Sequence, residues 1–405
     1  MCGVLALIYP KGCSPSSRQL ERIVNRMSHR GPDGMGVKIN GEIGFAHRRL
    51  AVIDILDATQ PMVLPSGIKV TFNGEIYNFR ELRSTLVGCG HSFKHDSDTE
   101  VLLHAAEQWG PDCLSRLEGM FSLVVDDPIR GITWAARDRM GQKPLFAFDK
   151  RFFADIEHGF VSELKCILPE QNCNRVVSPN AVSRFLAYDF MPDSDGFFVG
   201  VQKVAPGELW IIDRDNLSKK PIRKKWYNLP FGRLDKVNKH QAIEQLDEQL
   251  DIATQRCMVA DVPLGIFLSG GIDSSLITAY ACRHINPNSL KTFSIGFNNP
   301  AFDESIYAQN VANHLGTKHH NLTVDSSDLL NIVPRILSAQ DEPFADPSII
   351  PTAILSSFAR EEVTVALGGD GGDELFLGYP TFVAENILSY FSWVPPEVFS
   401  NLANF

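Results

Sequence analysis

At 405 residues the chain is too long for one ordinary hydrophobic core, so two domains are expected. A net charge of −10 excludes the basic face that nucleic-acid binding needs, and 44% hydrophobic with 21% charged residues is the balance of a globular protein. No apolar run approaches the ~20 residues of a membrane span, and the opening "MCGVLALIYPKG" lacks the basic start of a secretory signal, which makes the cytoplasm the expected compartment.

Cys2 stands where chain ends usually fray and packing gains little. With Met1 removed it would carry a thiol and a free α-amine on one residue, a nucleophile with its own base attached. The other seven cysteines (13, 89, 113, 166, 173, 257 and 282) form no Cys-x-x-Cys and are expected to be mostly small buried hydrophobes. No zinc site is expected, because the nearest histidine cluster, His314, His319 and His320, lacks acidic or thiol partners nearby.

Up to about residue 165 the chain reads as short strands: 3–9, 41–47, 69–78, 120–127, 131–138 and 144–149, apolar or alternating and parted by Gly, Pro and Asp turns. Helices interrupt them. In 16–29, Leu20, Ile23, Val24 and Met27 recur at three and four, and "DTEVLLHAAEQW" (98–109) has a similar rhythm. An α+β layered domain follows. We assign it residues 1–207, then a charged, broken stretch, 208–239, as a linker, and a second domain at 240–405.

The second domain opens on a helix, 240–258, with Ile243, Leu246, Leu250, Ala253 and Cys257 along one side. Strands then alternate with helices: "VPLGIFL", a helix from 274, "KTFSIGF", a helix from 303, "EVTVAL". That order predicts a parallel α/β sheet with crossover helices, a doubly wound nucleotide-binding type. The first strand runs into Ser269-Gly270-Gly271-Ile272-Asp273-Ser274-Ser275 and a helix. Glycines let an anion approach the backbone, the helix N-terminus offers unpaired N–H groups, the serines add donors, and Asp273 suits Mg²⁺ on phosphates. Without a Lys this is neither a Walker A loop nor a Rossmann fingerprint. A second turn, Gly368 to Glu374, sets three acids among four glycines at another strand's carboxyl end.

The first of these loops resembles the pyrophosphate loop of the ATP pyrophosphatase superfamily, which cleaves ATP between its α and β phosphates. In the first half, Cys2-Gly3, "HRGPDG", "HRRLAVID", "FNGEIYN", "SDTE", "LEGMFS", "RDRMGQKPLF" and "SELK" occur in order. They resemble the glutaminase domain of class II glutamine amidotransferases, N-terminal-nucleophile hydrolases with a four-layer αββα fold. Followed by "LSGGIDSS" and "GDGGDELF", the whole chain is similar to the glutamine-hydrolysing asparagine synthetase family.

That resemblance implies roles. Cys2 is the nucleophile, Arg49 holds the glutamine carboxylate, Asn73 and Gly74 form the oxyanion hole, and Glu75 and Asp98 bind the α-amine. Ser269, Gly270, Gly271, Asp273, Ser274, Ser275 and Gly369 bind ATP, while Asp273 and Asp373 ligate Mg²⁺. Asp370 stands where the family often has Glu, a carboxylate tied to the adenylate and ammonia steps, and Leu377 stands at a common Gly. The implied substrates are glutamine, ATP and, as acceptor, aspartate, with ammonia carried between the two sites inside the protein. The residues leave open another carboxylate acceptor, whose pocket "DEPFADPSIIPT" (341–352) is expected to line, or a glutaminase or glutamine-binding module with an inactive second half. The family continues through a further helical region, so a fragment is expected. The apolar tail with Phe391, Trp393, Phe399 and Phe405 suggests a covering partner or a homodimer; neither nucleic acid nor membrane is among the expected partners.

Overall fold

The structure is a computed structural model that describes residues 1–192, 196–230, 237–301 and 303–390. Phe391, Trp393, Phe399 and Phe405 lie outside these residues, as do 231–236 of the expected linker. The chain divides into two compact units. One gathers residues 1–241, 259–262 and 330–353, the other 242–258, 263–329 and the residues from 354.

The first unit contains β1 (Gly3–Ile8), α1 (Ser17–Asn25), β2 (Gly34–Asn40), β3 (Ile43–Arg49), β4 (Met62–Val63), β5 (Lys69–Ile76), α2 (Phe79–Gly88) and α3 (Asp98–Trp109). It continues with β6 (Gly119–Asp127), β7 (Ile132–Arg137), β8 (Phe146–Asp149), β9 (His158–Val161), α4 (Pro179–Tyr188), β10 (Val201–Lys203), β11 (Glu208–Asp213) and β12 (Ile222–Lys225). The strands build two six-stranded antiparallel sheets, ordered β10-β8-β9-β1-β3-β2 and β12-β11-β7-β6-β5-β4.

Strand periodicity explains the layering. Successive residues of β1 point to opposite faces. Val4, Ala6 and Ile8 join Ile43 and Phe45 against Val124, Ala135 and Trp210 of the other sheet. Leu5, Leu7 and Tyr9 pack instead with Leu20, Ile23 and Val24 of α1. On the far side of the second sheet α3 lies against β5, with α2 beside it. The order is helix, sheet, sheet, helix. The hydroxyl of Ser97 caps α3 by accepting from the Thr99 N–H at 3.1 Å, and Asp98 and Glu100 occupy its first turn.

The stretch 208–239, expected as a linker, instead supplies β11 and β12 to the second sheet. Leu209, Trp210 and Ile212 are buried, whereas β12 is a fully exposed edge strand of sequence Ile-Arg-Lys-Lys. Charge is what protects an edge strand, and here it gave the stretch the look of a linker. Residues 330–353, assigned by sequence to the second domain, cluster with the first unit.

From residue 239 the chain forms α5 (Lys239–Cys257), β13 (Leu264–Phe267), α6 (Ile272–His284), β14 (Lys291–Phe297), α7 (Ser305–Leu315) and β15 (Lys318–Val324). Then come α8 (Ser326–Ala339), α9 (Ile349–Arg360), β16 (Val365–Leu367), α10 (Gly372–Phe376) and α11 (Pro380–Ser389). The sheet is parallel, ordered β15-β14-β13-β16. The chain steps outward from β13 to β15 and then returns to the other side of β13. That reversal makes the carboxyl ends of β13 and β16 a topological switch point, where open α/β sheets place ligands. Of the histidine cluster, His314 lies in the last turn of α7 while His319 and His320 lie on β15, where the His319 ring sits 3.0 Å from the Thr292 hydroxyl and 3.1 Å from that of Ser294.

The side of α5 that carries Ile243 and Leu246 is largely uncovered, with both residues exposed. The expectation for the cysteines is corrected. All eight cysteines are free, and only Cys113 and Cys166 are buried, because the rest fall on turns and partly covered helix faces.

Candidate active site

Cys2 precedes β1, partly buried, and its sulfur accepts from the Leu50 N–H at 3.4 Å. Burial pushes the thiol pKa up, while the Leu50 N–H and the N-terminal ammonium pull it down. The Arg30 guanidinium donates to the Cys2 carbonyl at 2.8 Å and fixes the backbone of the nucleophile.

β5 carries the next three groups. Asn73 is 1% exposed, and its side-chain N–H₂ has no hydrogen-bond partner. A buried amide donor without a partner costs about 1–3 kcal/mol, so its orientation has a cause beyond stability. Gly74 follows at φ +154, where β5 and β6 approach so closely that a Cβ would overlap the Met120 carbonyl; only glycine fits. Glu75 comes third, and burial followed by the nearby Asp98 charge raises its pKa well above the ordinary value.

Asp98, at the start of α3, accepts from the Ile76 N–H at 3.0 Å, which locks the helix to β5. Burial pushes its pKa up to about 6 against the Ile76 and Thr99 amides and Arg49. The buried Asp98 therefore raises the pKa of the half-buried Glu75, and the buried Lys143, itself pushed down by burial, is held up by Glu75. Lys143 is positioned by Asp138, whose carboxylate accepts from the N–H groups of Phe121, Met140, Gln142 and Lys143 at 3.0–3.1 Å.

Arg49 departs from the simplest expectation. Its terminal nitrogens donate to the carbonyls of Ile53, Asp54 and Ile55, the Ile55 bond being 3.0 Å. The charge lies close enough to lower both the Cys2 and the Asp98 pKa, but the fork is engaged by its own loop.

The residues that sequence reasoning left without a role lie inside stretches it had already singled out. Arg30 of "HRGPDG" donates to Glu163 of "SELK" at 2.8 Å, and Glu163 also pairs with His29 and Lys165. Burial pushes Glu163 up, yet these cations hold its carboxyl below the usual range. The Lys165 N–H then donates to Asp341 at 2.7 Å, and Glu342 accepts from Lys203 at 2.7 Å. The acids that open 341–352 are thus bound within the first unit, and burial pushes Asp341 up to about 7. A charged side chain within each quoted stretch was the available signal; its partner was not readable.

In the second unit Ser269 to Ser275 form the turn from β13 into α6. Ser269 and Ser274 hydroxyls lie 2.9 Å apart, the Gly271 N–H donates to the Ser269 hydroxyl at 3.2 Å, and no side chain caps α6. The Ser275 hydroxyl is buried without a partner. The turn after β16 presses against this loop. A Cβ on Gly372 would overlap the Asp273 carboxylate, and one on Gly369 would come within 2.8 Å of the Ser274 nitrogen. Asp273 and the turn carrying Asp370 and Asp373 are therefore brought together at the switch point, with Asp370 and Asp373 exposed. Leu377, at the common glycine, has φ +60 and ψ 40, the left-handed region that glycine occupies without strain.

One unit of two antiparallel sheets with a partly buried Cys2 just ahead of β1, followed by a parallel-sheet unit with glycine turns at its switch point, is the arrangement that comparison with known families places in a class: glutamine amidotransferase-type domains paired with asparagine synthase-type domains. A family model described as a glutamine amidotransferase domain matches residues 1–227, and one described as asparagine synthase matches 245–404. The chain belongs to the glutamine-hydrolysing asparagine synthetase family. Asparagine synthetase [glutamine-hydrolyzing] 1 of Bacillus subtilis is 33% identical over 98% of this chain and 61% of its own length. A putative asparagine synthetase [glutamine-hydrolyzing] of Methanocaldococcus jannaschii is 33% identical over 94% of this chain and 76% of its own. The chain thus spans about three fifths of the length of the Bacillus relative. A solved glutamine phosphoribosylpyrophosphate amidotransferase of B. subtilis, 16% identical over 80% of this chain and 81% of its own, superposes with a TM-score of 0.40, too slight a likeness to build on.

Proposed function

We propose that the chain hydrolyses glutamine at Cys2 and uses the ammonia to amidate a carboxylate, aspartate by the names of its relatives, at the expense of ATP. The observation that carries the glutaminase half is the partnerless Asn73 amide, buried on β5 beside Glu75 and the start of α3, whose Asp98 and Glu75 carboxyls are both pushed up by desolvation. A ligand with an α-ammonium and an amide that turns into an oxyanion satisfies both wants at once.

With Met1 removed, the Cys2 α-amine, of ordinary pKa about 7.7–8.0, is partly neutral at pH 7 and accepts the thiol proton. The thiolate attacks the glutamine amide carbon, and the developing oxyanion receives hydrogen bonds from the Asn73 amide and the Gly74 N–H. Ammonia leaves, and water cleaves the thioester to glutamate. Glu75 and Asp98 hold the α-ammonium. The glutamine carboxylate exchanges for the loop carbonyls on Arg49.

In the second unit the uncapped start of α6, the unpartnered Ser275 hydroxyl and the glycine cradle over Asp273 fit a pyrophosphate, with Ser269, Gly270, Gly271, Ser274 and Gly369 around it. Asp273 and Asp373 would hold Mg²⁺, which supplies charge neutralisation on the phosphates. Asp370 stands beside them for the adenylate and ammonia steps.

The test compares glutamate release with ammonium-supported, aspartate-dependent release of AMP and pyrophosphate. Cys2→Ala, or an uncleaved residue ahead of Cys2, is expected to abolish the first and spare the second. Glutamate release that survives Cys2→Ala would refute the nucleophile, and pyrophosphate release that needs an acceptor other than aspartate would redirect the second half.

A further inference from the structure

We propose that His91, His104 and Glu107 form a binding site for a borderline divalent cation such as Zn²⁺, apart from the nucleophile's pocket. His104 and Glu107 stand three residues apart on α3 and so share a face. They lie about 9–14 Å along that helix from Asp98, at 1.5 Å per residue. The turn out of α2 brings His91 back over them, with its N–H bonded to the Leu86 carbonyl at 3.1 Å.

The geometry is the reason. The Nδ1 atoms of His91 and His104 are 3.0 Å apart, and one oxygen of Glu107 lies 3.5 Å from the first and 3.6 Å from the second. A charge-assisted hydrogen bond would draw that oxygen to about 2.7–2.9 Å of one ring. It sits instead nearly equidistant from both. Three donor atoms around an ion with bonds of about 2.0–2.1 Å form a tetrahedral face with edges of about 3.3–3.4 Å, close to the triangle observed. Two imidazoles and a carboxylate are a donor set used for zinc with an open fourth position, and they disfavour Mg²⁺ and Ca²⁺, which prefer oxygen.

The surroundings suit ligation. The Nε2 of His91 is 2.9 Å from the Gln108 side-chain oxygen, an acceptor, which places the proton on Nε2 and leaves the Nδ1 lone pair facing the site. The Phe93 ring packs edge-on against His104 at 4.6 Å between centroids. His91 and His104 side chains are 11% and 9% exposed and Glu107 24%, so solvent reaches the site beside the carboxylate. The site is invisible to motif reading because His91 lies 13 residues before His104.

The test uses the full chain, stripped with a chelator, in a Cys2→Ala background so that the terminal aminothiol binds nothing. Co²⁺ titration is expected to give visible absorption saturating at one equivalent and displaced by Zn²⁺. Zn²⁺ should raise Tm, while Mg²⁺ at the same concentration leaves it unmoved. Glu107→Gln and His91→Asn should each weaken binding at least tenfold and erase the Tm shift. Should His91→Asn fail to fold, the partly exposed Glu107→Gln decides alone. Binding of unchanged stoichiometry and affinity in Glu107→Gln, or no saturable absorption in the parent chain, overturns the site.

Discussion

Phe45 and Phe160 vanish from solvent between the two sheets of the first unit, within a cluster that also takes in Val124, Ala135 and Trp210. The corresponding core around β13 in the second unit has Ile266, Ala281 and Leu290 as its fully covered members. The candidate sites differ in the same sense. Near Cys2 the candidate groups are buried or half-buried, the Glu75 and Asp98 carboxyls are displaced from their ordinary pKa, and the Asn73 amide donor has no partner. Around Asp273 the glycine turns set the spacing, while Asp370 and Asp373 stay exposed. A large core can offset the cost of buried charges and orphaned donors, and so can build a site before the ligand arrives. A unit with small cores holds these acids where water solvates them.

The contrast can be broken most directly at the cores. Phe45→Ala should destabilise the first unit by about 3–5 kcal/mol, whereas Ile266→Val should cost the second only about 0.5–1.5 kcal/mol. Urea unfolding followed by Trp fluorescence and by limited proteolysis of each unit measures both, and similar losses would void the comparison. Next in size, Asn73→Ala should slow glutamine hydrolysis by about 10²–10³. Ammonium-supported synthesis should be unchanged, which steady-state assays with each nitrogen source would show.

Electrostatics supplies a sharper measure. Burial raises Asp98 to about 6 and Asp341 to about 7, from an ordinary 3.8. The folded chain therefore holds more protons than the unfolded chain between about pH 4 and 7, and these two groups make it less stable as pH rises through that window. Asp98→Asn should remove a loss of about 2 kcal/mol between pH 4.5 and 8 and raise the glutamine KM at least tenfold, as denaturation curves at both pH values and initial rates would reveal. A pH dependence identical to that of the parent would mean that the carboxylate is not buried as charge. The smallest effect belongs to the second unit, where Leu377→Gly should relieve the left-handed backbone and stabilise by up to about 1 kcal/mol, read as a rise in Tm.

Much of the fold was legible. The helix at 98–109 and the strand at 291–297 match the sequence expectation residue for residue, since a capped 3.6-residue rhythm and a β-branched, aromatic run bounded by turns admit few alternatives. β2 and β12 were missed because edge strands with polar exteriors carry weak alternation. The helix α2 was missed between a strand and a stronger helical signal. Arg30, Glu163, Lys143, Asp138 and Asp341 were all in view as charges, but a charge has no sequence periodicity that reveals its partner.

By itself the sequence determined the layers and the motif-bearing loops: alternation decided which residues of β1 face which core, and the Gly-Ser and Gly-Asp turns fall at the ends of β13 and β16. Tertiary structure alone decided the electrostatic state of the site. Desolvation and Coulomb interactions depend on distances between residues far apart in the chain, such as Ile76 with Asp98, Cys2 with Arg30 and Lys165 with Asp341, and only folding sets those distances.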